Sequence, residues 1–217
     1  MSSASLATGG RAPAQPPDWS IVIPLKDLDD SKSRMTLAPQ VRRRLAAGFA
    51  ADVIESCLRT PTVGRVVVVS PRAPDLPVLN GRVEVISDAG RGVNEAIVLA
   101  AEAIPDGPTA VIMADLPSLR APDVGRLLEQ SRAHRRSFVC DAAGIGTTAL
   151  AAQQASWLRP GFGPGSRARH RSEDAHELPD PALFRLRRDV DTLVDLFDAR
   201  RIGVGAHTAD ALLNDGG

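Results

Sequence analysis

A chain of 217 residues with 43% hydrophobic content can bury most of its apolar surface in one domain without disulfides or metal staples. Its 26 basic and 26 acidic residues cancel, which leaves no net field to draw nucleic acid or anionic lipid and argues against a general polyanion binder. No stretch approaches the ~18 consecutive apolar residues of a membrane span, and the N-terminus lacks a basic flank followed by an apolar secretion segment; Cys57 and Cys140 stand far apart in apolar surroundings, so a cytoplasmic protein with two reduced, buried thiols is expected.

Residues 1–18 are rich in Ser, Ala, Gly and Pro without apolar period and are expected as a disordered tail, with a single domain over 19–217. The apolar run Ile21 to Leu25 reads as a strand, and Val41, Leu45, Phe49, Val53 and Leu58 fall on one face of a helix. Strands follow at Val66 to Val69 and Val83 to Ile86, then a helix with Ile97, Ala100, Ala101 and Ile104 on one stripe, a strand from Thr109 to Met113, and a helix opening at Pro122. Strands without polar alternation are buried on both faces, so this order predicts a mostly parallel sheet inside a three-layer α/β/α domain.

The pattern changes after Arg136. Phe138 to Asp141 and Thr147 to Ala151, joined by a tight Gly-containing connection, read as a hairpin. It opens an insertion expected over about 138–182, with Phe138 to Ala151 a candidate surface for a homodimer. Residues 159–182, rich in Gly, Pro and Arg, read as a long irregular loop. A strand near Leu183 to Leu186 and a helix from Thr192 to Ala199 complete the series.

In an open parallel sheet, ligands bind beyond the carboxyl ends of the strands. The first strand runs into Lys26 and then Ser31-Lys32-Ser33-Arg34, cations and hydroxyls suited to a triphosphate; a solvated loop in which Asp27, Asp29 and Asp30 pair with the lysines is the alternative. No Walker A string occurs. Asp115 follows the strand ending at Met113, where it either enters the cleft as a ligand for a hard cation such as Mg²⁺ or caps the next turn. Asp189 and Asp191 alternate along an extended segment, which puts both carboxylates on one side and invites a cation, although Asp191 is also placed to cap a helix at Thr192.

Gly90-Arg91-Gly92-Val93-Asn94 leads into a helix: Gly92 permits close backbone approach, and Asn94 either reads a ribose or base edge or caps the helix. Gly161 to Ser166, followed by Arg167, Arg169, His170 and Arg171, sets backbone amides beside cations, as an anionic acceptor needs; a flexible basic loop is the alternative. The four histidines have no metal-ligand spacing, and no Gly-x-Ser-x-Gly elbow suggests acyl transfer.

At these residues the chain resembles the guanylyltransferases of coenzyme F(420) biosynthesis that act on phosphoenolpyruvate or 2-phospho-L-lactate. The resemblance spans about Ser20 to Gly205 and rests on Leu25-Lys26 with Lys32-Ser33-Arg34, Asp115-Leu116-Pro117, His134 to Val139, Phe162-Gly163-Pro164 with Ser166 and Ala168-Arg169-His170, and Arg188 to Thr192. It implies a nucleotide-diphospho-sugar transferase (glycosyltransferase-A-like) fold, GTP and Mg²⁺ as co-substrates, phosphoenolpyruvate as acceptor, and enolpyruvyl-diphospho-guanosine as the product passed to the deazaflavin-condensing transferase. It places the acceptor's carboxylate near Thr147, Gly163 and Ser166, and the metal on Asp115, Asp189 and Asp191.

The reaction expected is attack of the acceptor phosphate on the α-phosphorus of GTP, with Lys26, Lys32 and Arg34 holding the pyrophosphate that leaves and Gly92 and Asn94 at the nucleotide. The same reaction on 2-phospho-L-lactate or 3-phosphoglycerate, another sugar-1-phosphate or molybdopterin nucleotidyltransferase, and a non-catalytic nucleotide-binding subunit are the competing readings.

Overall fold

The computed structural model describes residues 18–30, 32, 35–79 and 82–213; apart from Asp18, the expected N-terminal tail lies outside them. Strands β1 (Trp19–Pro24), β2 (Val63–Ser70), β3 (Val83–Ser87), β4 (Thr109–Ile112), β5 (Arg136–Cys140), β6 (Thr147–Ala152) and β7 (His176–Glu177) form one sheet in the order β3-β2-β1-β4-β6-β5-β7. Strand β6 runs antiparallel to both of its neighbours; the other described pairings are parallel. Helices α1 (Pro39–Leu58), α2 (Val93–Ala103), α3 (Ala121–Ser131), α4 (Ser166–Ser172), α5 (Leu193–Ile202) and α6 (Ala206–Leu213) complete the chain.

Alternation along the strands explains the layers. Ile21, Ile23, Val66, Val68, Ala110 and Ile112 pack in one cluster with Ala50, Val53 and Ile54 of α1 and Val124 and Leu127 of α3. The intervening Val22, Val67, Val69 and Val111 pack on the other face with Ala96, Ile97 and Ala100 of α2. Each such valine or isoleucine is fully buried, a contribution of about 1.5–3 kcal/mol apiece, which is why these strands carry no polar alternation. A third cluster, with Met35, Phe49, Val190, Leu196 and Ala211, binds α5 and α6 to the outer side of α1.

Helix α6 is held by a remote cap. Buried Asp52 of α1 accepts the backbone N–H groups of His207 and Thr208, both at 3.0 Å, satisfying donors that a helix start leaves open. Gly205 is required there, since a Cβ would fall 2.1 Å from the Asp52 carboxylate.

Two expectations are corrected. Leu183 to Leu186 lie in a 3-10 helix, Pro181–Arg187, not a strand. Asp180 caps it by accepting Ala182 N–H at 2.8 Å, and the i, i+3 pair Leu183 and Leu186 is its buried face. Residues 159–182 hold α4 and β7 within what reads as an irregular loop. The hairpin β5–β6 forms as expected; β6 sits between β4 and β5, and residues 138–140 and 147–152 are buried inside the sheet, while the connecting turn carries the exposed Ile145. Cys57 and Cys140 are free and buried. Among the described residues no helix is long and apolar enough to cross a membrane.

Candidate active site

Strand order reverses at β1: the chain builds outward through β2 and β3, then returns to add β4 on the other side. The crevice outside the carboxyl ends of β1 and β4, neighbours at this reversal, is where an open α/β sheet holds ligands. Lys26 and Lys32 leave β1 into that crevice, and Asp115 leaves β4. The Lys32 ammonium lies 2.8 Å from Asp115 Oδ2 and 3.1 Å from Asp191 Oδ1, with only 9% of its side chain exposed. Burial opposes the Lys32 charge, but Asp115 and Asp191 outweigh it and hold its pKa above the ordinary lysine value.

Local structure explains why both aspartates face the crevice. Asp115 is not consumed as a helix cap, since its Oδ2 is turned to Lys32 and α3 begins after Arg120. Its backbone carbonyl accepts Val190 N–H at 3.0 Å, which pins the 189–191 segment alongside. Asp191 is likewise spared: Thr192 is the N-cap of α5, in a reciprocal capping box with Asp195, and Asp195 Oδ2 also accepts the Asp191 N–H. Val190, between the two aspartates, is anchored in the third core cluster. Burial first, then the carboxylates of Asp115, Asp191 and Asp141, push Asp189 up to about 7.

A second part of the crevice is a cavity of about 380 Å³ lined by Leu25, Lys26, Asp88, Gly90, Gly92 and Val93 among others. Gly90 and Gly92 have φ of +77° and +101°, a conformation costly for other residues, and leave open space where a Cβ would stand. Asp88 braces the turn by accepting Gly90 N–H at 3.1 Å. Asn94 is engaged: its Oδ1 accepts Phe162 N–H at 2.8 Å and its Nδ2 donates to Phe162 O at 3.1 Å. In this structure it ties the start of α2 to the 161–166 loop.

That loop forms the third part. His170 of α4 is buried, with Nδ1 2.9 Å from Thr147 Oγ1, while its Nε2 accepts Gly161 N–H at 3.1 Å. Gly163, at φ +119°, is exposed, and its carbonyl accepts Ser166 N–H at 3.1 Å; Ser166 Oγ is buried and without a hydrogen-bond partner. Asp141 shapes the β5–β6 turn by accepting Ile145 and Gly146 N–H at 2.9 and 2.8 Å. Met113 N–H donates to Thr148 O at 2.9 Å, so the approach to Asp115 and the start of β6 are neighbours.

The structure thus brings Lys32 together with Asp115 and Asp191, Lys26 with Gly92, and Thr147 with the loop carrying Gly163 and Ser166. Arg34 lies outside the described residues. The basic run after Ser166 is not a free cluster of cations. Arg167 and Arg171 pair with Glu177 at 3.0 and 2.8 Å, Arg169 hydrogen-bonds Gly161 O, and His170 is pushed down to about 4 by burial and by Arg169 and Arg136. Among the described residues, Asp27 pairs with Arg72, and Asp29 with Arg72 and Arg43. His170 and Asp141 carry positioning contacts that residue pattern alone does not single out.

Residues 19–210 match the family described as guanylyl transferase CofC like. A phosphoenolpyruvate guanylyltransferase of Streptomyces scabiei is 42% identical over 205 residues, covering 89% of this chain and 95% of its own. Phosphoenolpyruvate guanylyltransferase 2 of Rhodococcus jostii is 37% identical over 202 residues, covering 91% and 92%. Among solved structures, a candidate nucleotide-diphospho-sugar transferase of Desulfovibrio desulfuricans superimposes with TM-score 0.69 at 17% identity over 92% of this chain and 96% of that one. A nucleotidyl transferase of Methanothermobacter does so with TM-score 0.58 at 18% identity over 85% and 96%. The two structures attest to the fold alone; the family match and the sequence relatives go further, and this chain belongs to the CofC-like guanylyl transferase family.

Proposed function

We propose that the protein transfers GMP from GTP to phosphoenolpyruvate, giving enolpyruvyl-diphospho-5'-guanosine and pyrophosphate for coenzyme F(420) biosynthesis. One observation carries the reading: Asp115 and Asp191, from separate segments, converge on a single buried ammonium at the switch point of a nucleotidyltransferase-type sheet, with Asp189 beside them. The donor set fits Mg²⁺, a hard cation that prefers oxygen. Asp115 Oδ1 is buried without a hydrogen-bond partner, and Asp189 is raised to about 7 beside its carboxylate neighbours. Asp115, Asp189 and Asp191 would hold the ion, whose chemistry is to neutralise charge on the α-phosphate and the leaving pyrophosphate.

The chain's own residues supply alignment. The cavity lined by Lys26 and Gly92 suits the nucleotide, because Gly92 lets a ligand approach the backbone and Lys26 stands exposed at its rim. Lys32 and Arg34 carry positive charge to the phosphates. Thr147, Gly163 and Ser166 receive the acceptor, with the unpartnered Ser166 hydroxyl available to its carboxylate. An acceptor phosphate oxygen bonds to the α-phosphorus as the bond to the bridging β-phosphate oxygen breaks, and the electron pair leaves with pyrophosphate. A phosphate is already ionised at neutral pH, so no side chain has to act as general base.

A supply of GTP and phosphoenolpyruvate supports the cytoplasm as the site of the reaction, and its activated diphosphate is suited to the deazaflavin-condensing transferase as consumer. The test is pyrophosphate release by the purified protein with GTP and Mg²⁺ on phosphoenolpyruvate, 2-phospho-L-lactate and 3-phosphoglycerate. Highest kcat/KM on phosphoenolpyruvate is expected; preference for another acid reassigns the acceptor, and silence on all three removes the activity.

A further inference from the structure

The imidazole of His170 is 1% exposed and packed between two rings, with centroids 5.6 Å from Phe138 and 5.4 Å from Phe162. Gly161 contributes a backbone N–H to Nε2 at 3.1 Å, and such a group can only donate. Nε2 is therefore the bare nitrogen and the ring proton sits on Nδ1, from where it is donated to Thr147 Oγ1 at 2.9 Å. With its oxygen already accepting from His170, Thr147 keeps its own hydroxyl proton for another acceptor. The same ring thus sets the direction of one hydroxyl on β6 and the path of the backbone entering the 161–166 loop.

We propose that His170 is a positioning residue for the phosphorylated acceptor: through Nδ1 it turns Thr147 into a hydrogen-bond donor towards that ligand, and through Nε2 it holds the Gly161 backbone so that Gly163 and Ser166 face the same ligand. The inference rests on the guanylyltransferase reading for the identity of the ligand, not for the hydrogen bonds. His170 does not touch substrate. Neither of its hydrogen bonds goes to a residue on the nucleotide side of the crevice, which is reached only through Phe162 and Asn94, so the larger effect belongs to the acceptor.

Two substitutions divide the contacts. His170→Asn keeps an amide donor near Nδ1 and gives up Gly161; His170→Gln keeps an acceptor near Nε2 and gives up Thr147. In each, the KM for phosphoenolpyruvate is expected to rise about tenfold, the effect of one buried hydrogen bond, with KM for GTP little changed and the melting temperature lowered by a few degrees while the protein stays folded. An unchanged KM for phosphoenolpyruvate, or an equal rise for GTP, overturns the proposal. In the wild-type protein, proton–nitrogen correlation NMR of the imidazole should show the Nδ1–H tautomer with a bare Nε2; finding Nε2–H overturns it even where a variant fails to fold. Absence of wild-type turnover on every phospho-acid refutes the guanylyltransferase reading and the acceptor role with it, while the NMR result still decides whether the hydrogen bonds exist.

Discussion

The two ends of the crevice are built on opposite electrostatic plans. Around Lys32, carboxylates crowd one ammonium, Asp115 Oδ1 is left without a partner, and Asp189 is driven to about 7. Around His170, a neutral ring is saturated by Thr147 and Gly161, while Asn94 locks the next residue, Phe162, from both sides. The carboxylate end is unbalanced and calls for added positive charge. The histidine end is balanced and preformed, so its contribution is orientation, with little rearrangement when ligand arrives.

The largest effect that breaks this contrast is loss of a carboxylate. Asp115→Asn should lower turnover on the order of a thousandfold with the fold intact, because charge stabilisation at the reacting phosphate is the main catalytic term. Pyrophosphate release and a thermal melt on the same sample check it, and near-normal turnover would remove Asp115 from the metal site.

Acid sharpens the other side. His170 has a folded pKa of about 4 against an ordinary 6.5, with Arg169 and Arg136 facing it, so the unfolded chain binds more protons between those values. Stability is fully present above pH 6.5 and is lost as pH falls through 4, a loss of about 3 kcal/mol from this one group. Urea unfolding of wild type and His170→Gln at pH 7 and pH 4.5 measures it; an equal acid loss in both would show that the ring is not the source.

Asp189 has the reverse sign. Its folded pKa of about 7 lies above the ordinary 3.8, so the folded state binds more protons and stability declines as pH rises from about 4 to 7. In chelator at pH 8, Asp189→Asn should be more stable than wild type by about 2 kcal/mol, a figure discounted from the full shift for the solvent that reaches this carboxylate. Added Mg²⁺ should narrow the difference by stabilising the wild type. A variant less stable than wild type in chelator contradicts a strained carboxylate cluster.

The smallest effect is expected from the link between the 90–94 turn, proposed for the nucleotide, and the 161–166 loop, proposed for the acceptor. Asn94→Ala removes two hydrogen bonds to Phe162 and should cost about 1–2 kcal/mol of stability, with KM values for GTP and phosphoenolpyruvate both rising a few fold. A rise for GTP alone would mark Asn94 as a nucleotide contact first.

Much of this was legible in residue order because local pattern and long-range packing agree there. The valine-rich runs of β1 and β2 have no polar alternation, so they must be buried on both faces, and layers follow. Asp115 stands directly after such a run; for Asp191 the sequence left a helix cap open, and the structure shows Thr192 and Asp195 capping α5 instead. Helix α4 escaped for a physical reason. Its sequence Ser-Arg-Ala-Arg-His-Arg-Ser has no apolar period, and its buried positions, Ser166 and His170, are polar. Helix α6 depends on a cap from Asp52, more than a hundred residues away in the chain. Leu183 and Leu186 read as strand because a short apolar segment does not distinguish a period of two from one of three.

Sequence alone, then, determined the layered α/β plan and the aspartates that follow its strand ends, because hydrophobic burial is written in local pattern. Only the tertiary structure decided that Lys32 would sit between Asp115 and Asp191, that the arginines beside Ser166 would be spent on Glu177 and loop carbonyls, and that His170 would be a buried neutral orienter and not a cation. Charge and tautomer are properties of surroundings, and those surroundings come from segments far apart in the chain.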